Sequence, residues 1–168
     1  CSSSNPILLN LLIYDNHNME GGGLKLSNSS PRLQNVTIAN NSSTLYYGGG
    51  IYMVYKCNPE FINVNILNNT APVGGDGIFG ITDINITFIN STLWNNSIYL
   101  AEVGDPNSII VSHSNIENGT DAIITNDNTT LHWFDGNINS DPLFNDPENF
   151  DLTLQEESPN IDAGTSFF

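Results

Sequence analysis

Residues 31–41 (PRLQNVTIANN) place Leu33, Val36 and Ile38 between polar neighbours, and the same pattern returns along the chain. Aligned on the proline, copies run over residues 6–16, 31–41 and 59–69. A fourth without the proline covers 88–96, and a fainter fifth covers 111–119. Alternating apolar residues, frequent β-branched side chains and no 3.6-residue periodicity predict strands. One asparagine column, Asn10, Asn35, Asn63 and Asn90, has His113 in its fifth slot, at spacings of 25, 28, 27 and 23 residues. A second column six residues later holds Asn16, Asn41, Asn69 and Asn96. Strand repeats of this length mean a stacked solenoid in which each copy is one turn.

In such a coil like strands stack in parallel about 4.8 Å apart. Their inward side chains form apolar columns, each fully buried Leu, Ile or Phe contributing roughly 1.5–3 kcal/mol. The turns recur in every rung and leave backbone groups that no strand ladder satisfies. An inward asparagine bonds both these groups and the asparagines above and below it, so all eight asparagines are expected to form ladders. Asparagine also tolerates the left-handed backbone that sharp corners demand. The glycine runs 21–23, 48–50 and 74–77 precede short apolar segments and predict tight corners. No dinucleotide-type spacing or Lys-Ser/Thr follows them, so they are not phosphate loops.

The whole of residues 1–168 thus predicts a single all-β domain, a right-handed parallel β-helix (β-solenoid) with rungs of about 23–28 residues. Residues 1–97 hold the regular asparagine rungs and residues 98–140 looser ones. Residues 141–168 form an expected closing rung whose Leu143, Phe144, Leu152, Leu154 and Ile161 cover the open end of the core. Cys1-Ser-Ser-Ser lies in register with residues 26–30, so the chain is expected to begin inside a repeat, as a fragment of a longer protein, rather than at a lipidated cysteine. Cys1 and Cys57 match no disulfide framework or metal spacing.

Charge narrows the function. Three Lys+Arg against 18 Asp+Glu give a net charge of -15, which repels nucleic acid and anionic surfaces. No run approaches the roughly 20 apolar residues of a membrane span, so direct membrane insertion is not expected.

The glycine-triplet rungs, the Ser-Ser-Pro-x-Leu-x-Asn-Val-x-Ile segment and the terminal Asp-Pro-Leu-Phe … Ser-Pro-x-Ile-Asp-Ala-Gly resemble the right-handed parallel β-helix repeat proteins of the pectate-lyase-like superfamily, in their secreted bacterial form. The resemblance implies export to the extracellular space or cell surface, and further rungs upstream. Its catalytic members act on acidic polysaccharides with clustered carboxylates, Ca²⁺ and basic residues. This chain offers only Lys25, Arg32 and Lys56, in no recognisable cluster, and no catalytic residue is assigned.

Three sets of residues remain as candidates. Tyr46, Tyr47, Tyr52, Tyr55 and Trp94 lie near predicted turns and strand edges, where exposed rings stack on sugars. No cofactor is expected, and Ca²⁺ is the one candidate, with Asp141, Asp146 and Asp151 as its oxygen ligands. Asp76, Asp83, Asp105 and Asp121 fit turn positions first and a glycosidase pair second. The expected function is that of a non-catalytic exported segment of a bacterial surface protein, adhesive or structural, with glycans or other surface proteins as partners. The alternatives are a carbohydrate-active lyase or hydrolase, and a module that self-associates end to end through its solenoid ends.

Overall fold

The computed structural model describes residues 1–101, 103–125 and 127–166. In chain order its strands are β1 (Ile7–Tyr14), β2 (His17–Asn18), β3 (Leu24–Ser27), β4 (Arg32–Ala39), β5 (Ser42–Ser43), β6 (Ile51–Val54), β7 (Glu60–Leu67), β8 (Ile78–Ile81) and β9 (Asn85–Ile89). Then follow β10 (Thr92–Trp94), β11 (Ile98–Ala101), β12 (Asn107–Ser112), β13 (Asn115–Ile116), β14 (Ile123–Ile124), β15 (Thr129–Trp133), β16 (Phe144–Asp146) and β17 (Asp151–Leu154). One face stacks β1-β4-β7-β9-β12-β15, with β10 and β13 continuing it past a corner, and the other stacks β3-β6-β8-β11-β14. The neighbours in both faces are parallel, which makes the chain a β-solenoid of about 5 turns.

Register turns sequence repetition into packing. Leu8, Leu33, Phe61, Phe88, Val111 and Trp133 form one inward column. Ile13, Ile38, Ile66, Leu93 and Ile116 form a second, and Leu24, Ile51, Ile78, Ile98 and Ile123 line the opposite face. Phe61 and Phe88 stack with centroids 4.9 Å apart. In the first described rung Leu11 is 41% exposed, while Val36 stacked on it in the next is 1% exposed.

Each long strand is bent. Asn10, Asn35, Asn63, Asn90 and His113 all have φ between 48° and 54°, a left-handed corner that divides the strand in two. Five residues later Asp15, Asn40, Asn68, Asn95 and Asn118 make a second left-handed corner. The tandem Asn-Asn of the three middle rungs therefore has two jobs. The first residue turns the chain, and the second, Asn41, Asn69 or Asn96, points inward and is buried. At the glycine run Gly48 has φ 69°. Beside it Gly49 lies so close to the next turn that a Cβ would stand 2.3 Å from the Thr70 carbonyl oxygen.

The C-terminal segment does not close the core. β16 and β17 are antiparallel and pair with each other alone, and residues 141–166 run as a strap along the outside of the long face. Phe150 reaches back to Tyr14 of the first rung, ring centroids 4.8 Å apart, while Thr165 bonds Asn90 and Asn160 bonds Asn115. The physical reason lies under the strap. Outward-facing Ala39, Ile62 and Leu67 are 2%, 3% and 4% exposed, so the outer surface is itself apolar enough to hold a second layer. Phe167 and Phe168, the last residues of the predicted closing rung, lie outside the described residues.

Candidate functional site

The two asparagine columns behave differently. In the inner column Asn16 Nδ2 donates to Asn41 Oδ1 at 2.9 Å, Asn41 Nδ2 to Asn69 Oδ1 at 3.0 Å and Asn69 Nδ2 to Asn96 Oδ1 at 2.9 Å. Asn41 and Asn69 also donate to the Ile13 and Ile38 carbonyls, so this ladder ties each corner to the rung below. The outer column faces solvent, contrary to the expectation that it points inward. Asn35 Nδ2 donates to Asn10 Oδ1 at 3.1 Å and Asn63 Nδ2 to Asn35 Oδ1 at 3.2 Å, with all three residues exposed. Asn90 leaves this series and bonds the strap instead. His113 keeps the corner backbone, but its ring Nδ1 pairs with Ser112 Oγ at 2.7 Å.

The tyrosine candidates divide. Tyr52, Phe79 and Tyr99 are register neighbours on the outer side of β6, β8 and β11. Tyr47 stacks on Phe79 at 4.2 Å and Tyr52 does so at 5.3 Å, with Lys25 Nζ 5.0 Å above the Tyr52 ring. Glu20 holds Lys25 at 2.7 Å. Burial, and then the Glu20 carboxylate, hold the Tyr52 phenol above the ordinary tyrosine value, with Lys25 opposing them. These rings pack chiefly on one another, which leaves Phe79 buried. Tyr46 and Tyr55 are 44% and 59% exposed at the flanks.

Trp94 stands on a different surface. It lines a groove of about 270 Å³ between the strap and the second corner, together with Leu67, Phe144, Leu143, Pro142 and Pro147. Four planar polar groups, Asn68, Asn95, Asp141 and Gln155, complete the lining. Each commits one end to the protein. Asn95 Nδ2 donates to Asn68 Oδ1 at 2.8 Å, Asp141 Oδ1 accepts from the Leu143 N–H at 2.9 Å, and Gln155 Nε2 donates to the Phe144 carbonyl at 3.0 Å. Among the described residues no hydrogen bond is made by the opposite ends, Asn68 Nδ2, Asn95 Oδ1, Asp141 Oδ2 and Gln155 Oε1. The sequence singles out Trp94 and, as an ion ligand, Asp141, but does not bring them together, because the strap that supplies Asp141, Phe144 and Gln155 reads as a rung.

The expected ion site does not assemble. Asp146 and Asp151 are cross-strand partners, but Asp141 sits apart in the Trp94 groove, and no group of three or more potential metal-ligating side chains occurs among the described residues. Each carboxylate serves its own turn: Asp146 accepts from Asn149, and Asp151 accepts from the Thr153 N–H and hydroxyl. The Thr153 bonds, hydroxyl first, hold the Asp151 carboxyl below its ordinary value. Of the four turn carboxylates, Asp76 accepts from the Ala71 N–H at 2.7 Å and Asp83 from Asn85 Nδ2 at 3.0 Å, both of them turn-closing contacts.

A second groove, of about 240 Å³, lies at the first corner under the end of the strap and is bordered by Asn63, Asn90, His113, Asn115, Asn160 and Gly164. No helix among the described residues is long and apolar enough to cross a membrane. No protein-family model matches the chain, and no curated protein or solved structure is found to be similar to it.

Proposed function

We propose that the chain is a non-catalytic, exported β-solenoid segment of a cell-surface protein, of the pectate-lyase-like kind, that binds neutral glycans in the Trp94 groove. The observation that carries this reading is one indole set, in a groove of about 270 Å³, among four planar polar side chains that each have an end without a partner among the described residues. The C–H face of a sugar ring stacks on the indole face, and adjacent hydroxyls match the paired donor and acceptor edges of carboxamides and a carboxylate. The lone Asp141 carboxylate and the net charge of -15 select against uronic or sulfated sugars.

A glycan array spanning neutral and acidic oligosaccharides, read with and without Ca²⁺, tests the proposal alongside Trp94→Ala. Neutral glycans should bind, and Trp94→Ala should weaken them about tenfold or more, since it removes the stacking face. Urea midpoints of the two proteins establish that the variant is folded. Binding confined to acidic glycans, or unchanged in the variant, would overturn the reading.

A further inference from the structure

The Trp94 groove has a floor made by strand register and a wall made by the strap. Ala39, Leu67 and Trp94 follow one another in an outward column of successive rungs, and Leu67, 4% exposed, lies beneath the groove. The facing wall is Pro142, Leu143, Phe144 and Pro147. Leu143 has φ 50°, a left-handed backbone that leucine rarely takes, and four hydrogen bonds hold the segment in that shape. The Leu143 N–H donates to Asp141 Oδ1 at 2.9 Å, and the Leu143 carbonyl oxygen accepts from the Gln155 N–H at 2.9 Å. On either side, the Pro142 carbonyl accepts from Ser158 Oγ at 2.6 Å and the Phe144 carbonyl from Gln155 Nε2 at 3.0 Å. The apolar wall is therefore fixed before any ligand arrives.

Such a wall is more than a plain hexose uses. A hexose has one C–H face, which Trp94 covers, and its edges carry hydroxyls that would lose water against Leu67, Pro142, Leu143, Phe144 and Pro147 without gaining a partner. An alkyl group on the sugar gains from the same contact. The polar pair in the groove points the same way. Asn68 and Asn95 sit at successive left-handed corners, with φ 51° and 50°, and are joined by Asn95 Nδ2 donating to Asn68 Oδ1 at 2.8 Å. That bond turns Asn95 Oδ1 outward as an acceptor and Asn68 Nδ2 as a donor, neither with a partner among the described residues. A planar secondary amide, with one N–H and one C=O, matches such a pair. If it also carries a methyl group, it satisfies the wall and the pair together.

We propose that the glycan of the Trp94 groove is recognised through a 2-acetamido-2-deoxyhexose unit, an inference that rests on the neutral-glycan reading given above. The ring stacks on Trp94, and the acetamido N–H and carbonyl are taken by Asn95 Oδ1 and Asn68 Nδ2. The methyl packs on the strap wall at Leu143, and Asp141 Oδ2 accepts from a ring hydroxyl. Removing the acetyl group leaves an ammonium, which gains from Asp141 and the net charge of -15 but sets a strongly hydrated charge against an apolar wall. The deacetylated sugar thus separates recognition of the acetamido group from attraction by charge.

The test is isothermal titration of the full chain with five trisaccharides: those of N-acetylglucosamine and N-acetylgalactosamine, their glucose and galactose counterparts, and deacetylated glucosamine. At least one acetamido trisaccharide should bind about tenfold or more tightly than its hydroxyl counterpart, the worth of a buried methyl and an added hydrogen bond, and more tightly than the deacetylated one. Leu143→Gly keeps the left-handed backbone and removes the wall, and Asn95→Gly keeps its corner and removes the acceptor. Each should bring the ratio of acetamido to hydroxyl affinity toward one, with urea midpoints showing that the variants are folded. Equal binding of acetamido and hydroxyl sugars, tighter binding of the deacetylated sugar, or a preference that survives both substitutions overturns this inference and leaves the glycan reading standing. Failure of every neutral trisaccharide to bind overturns that reading and this inference with it.

Discussion

Asn69→Ala is the sharpest test of the inner ladder. Asn69 is 1% exposed, and its carboxamide makes four hydrogen bonds. Oδ1 accepts from Asn41 N and Asn41 Nδ2, both at 3.0 Å, while Nδ2 donates to Ile38 O and Asn96 Oδ1, both at 2.9 Å. A net worth of about 1 kcal/mol per bond gives about 4 kcal/mol, and an orphaned buried donor such as the Asn41 N–H adds about 1–3 kcal/mol unless water or a small shift satisfies it. A loss of about 4–7 kcal/mol is therefore expected, a large share of the roughly 5–15 kcal/mol that stabilises a typical domain. The control is Asn35→Gly in the exposed column. It removes two side-chain bonds that solvent replaces and keeps a residue that takes φ 54° freely, so it should cost under about 1 kcal/mol. Equilibrium urea unfolding measures both, with far-UV dichroism and tryptophan fluorescence required to coincide and the slope m compared between variants. If Asn69→Ala loses no more stability than Asn35→Gly, the ladder is a consequence of the coil and does not hold it.

Gly49→Ala would place a methyl group 2.3 Å from the Thr70 carbonyl oxygen and 2.6 Å from that of Asp76, both backbone atoms, so a loss of about 3 kcal/mol or more is expected in the same assay. A near-neutral result would mean that the corner has slack. Thr153→Val removes the hydroxyl that holds the Asp151 carboxyl low, and its pKa should rise toward the ordinary aspartate value in an NMR titration. Because the folded value is depressed, the contact supports the hairpin above the unfolded pKa and is lost as pH falls through the folded one, so the variant's hairpin should be less sensitive to acid than the parent's. An unchanged Asp151 titration in the variant would refute that assignment.

Much of the coil is legible in the chain because stacking copies a one-dimensional pattern into a lattice. The apolar columns, the parallel pairing and the membership of both asparagine columns follow from repeat spacing alone. The orientation of the outer column does not follow, although a signal for it exists. Leu33 and Val36, like Phe61 and Val64, are three apart, and both are buried. Residues three apart point to opposite faces of a straight strand, so a corner must fall between them, and Asn35 and Asn63 occupy it with their side chains thrown outward. The strap was illegible for a related reason. Its apolar residues match a closing rung as well as a lateral layer, and the choice is made by the partner surface: the doublets Ile38-Ala39, Phe61-Ile62 and Ile66-Leu67 give the long face a second apolar side. The Trp94 groove depends on the strap, so it could not be read before the strap was placed.

The two left-handed corners have a further consequence for how this architecture changes over time. Six residues separate Asn10 from Asn16, Asn35 from Asn41, Asn63 from Asn69 and Asn90 from Asn96, so this edge of the coil is a ruler of fixed length. The path from the inner asparagine to the opposite face is elastic by contrast. It takes ten positions from Asn41 to Ile51, nine from Asn69 to Ile78 and two from Asn96 to Ile98. The longest of these excursions carries Leu45, Tyr46 and Tyr47. Insertions and deletions are accommodated along that seam without disturbing the ladder, and a lineage built on this coil can lengthen or trim its surface there while the six-residue spacing of the asparagine edge stays the same.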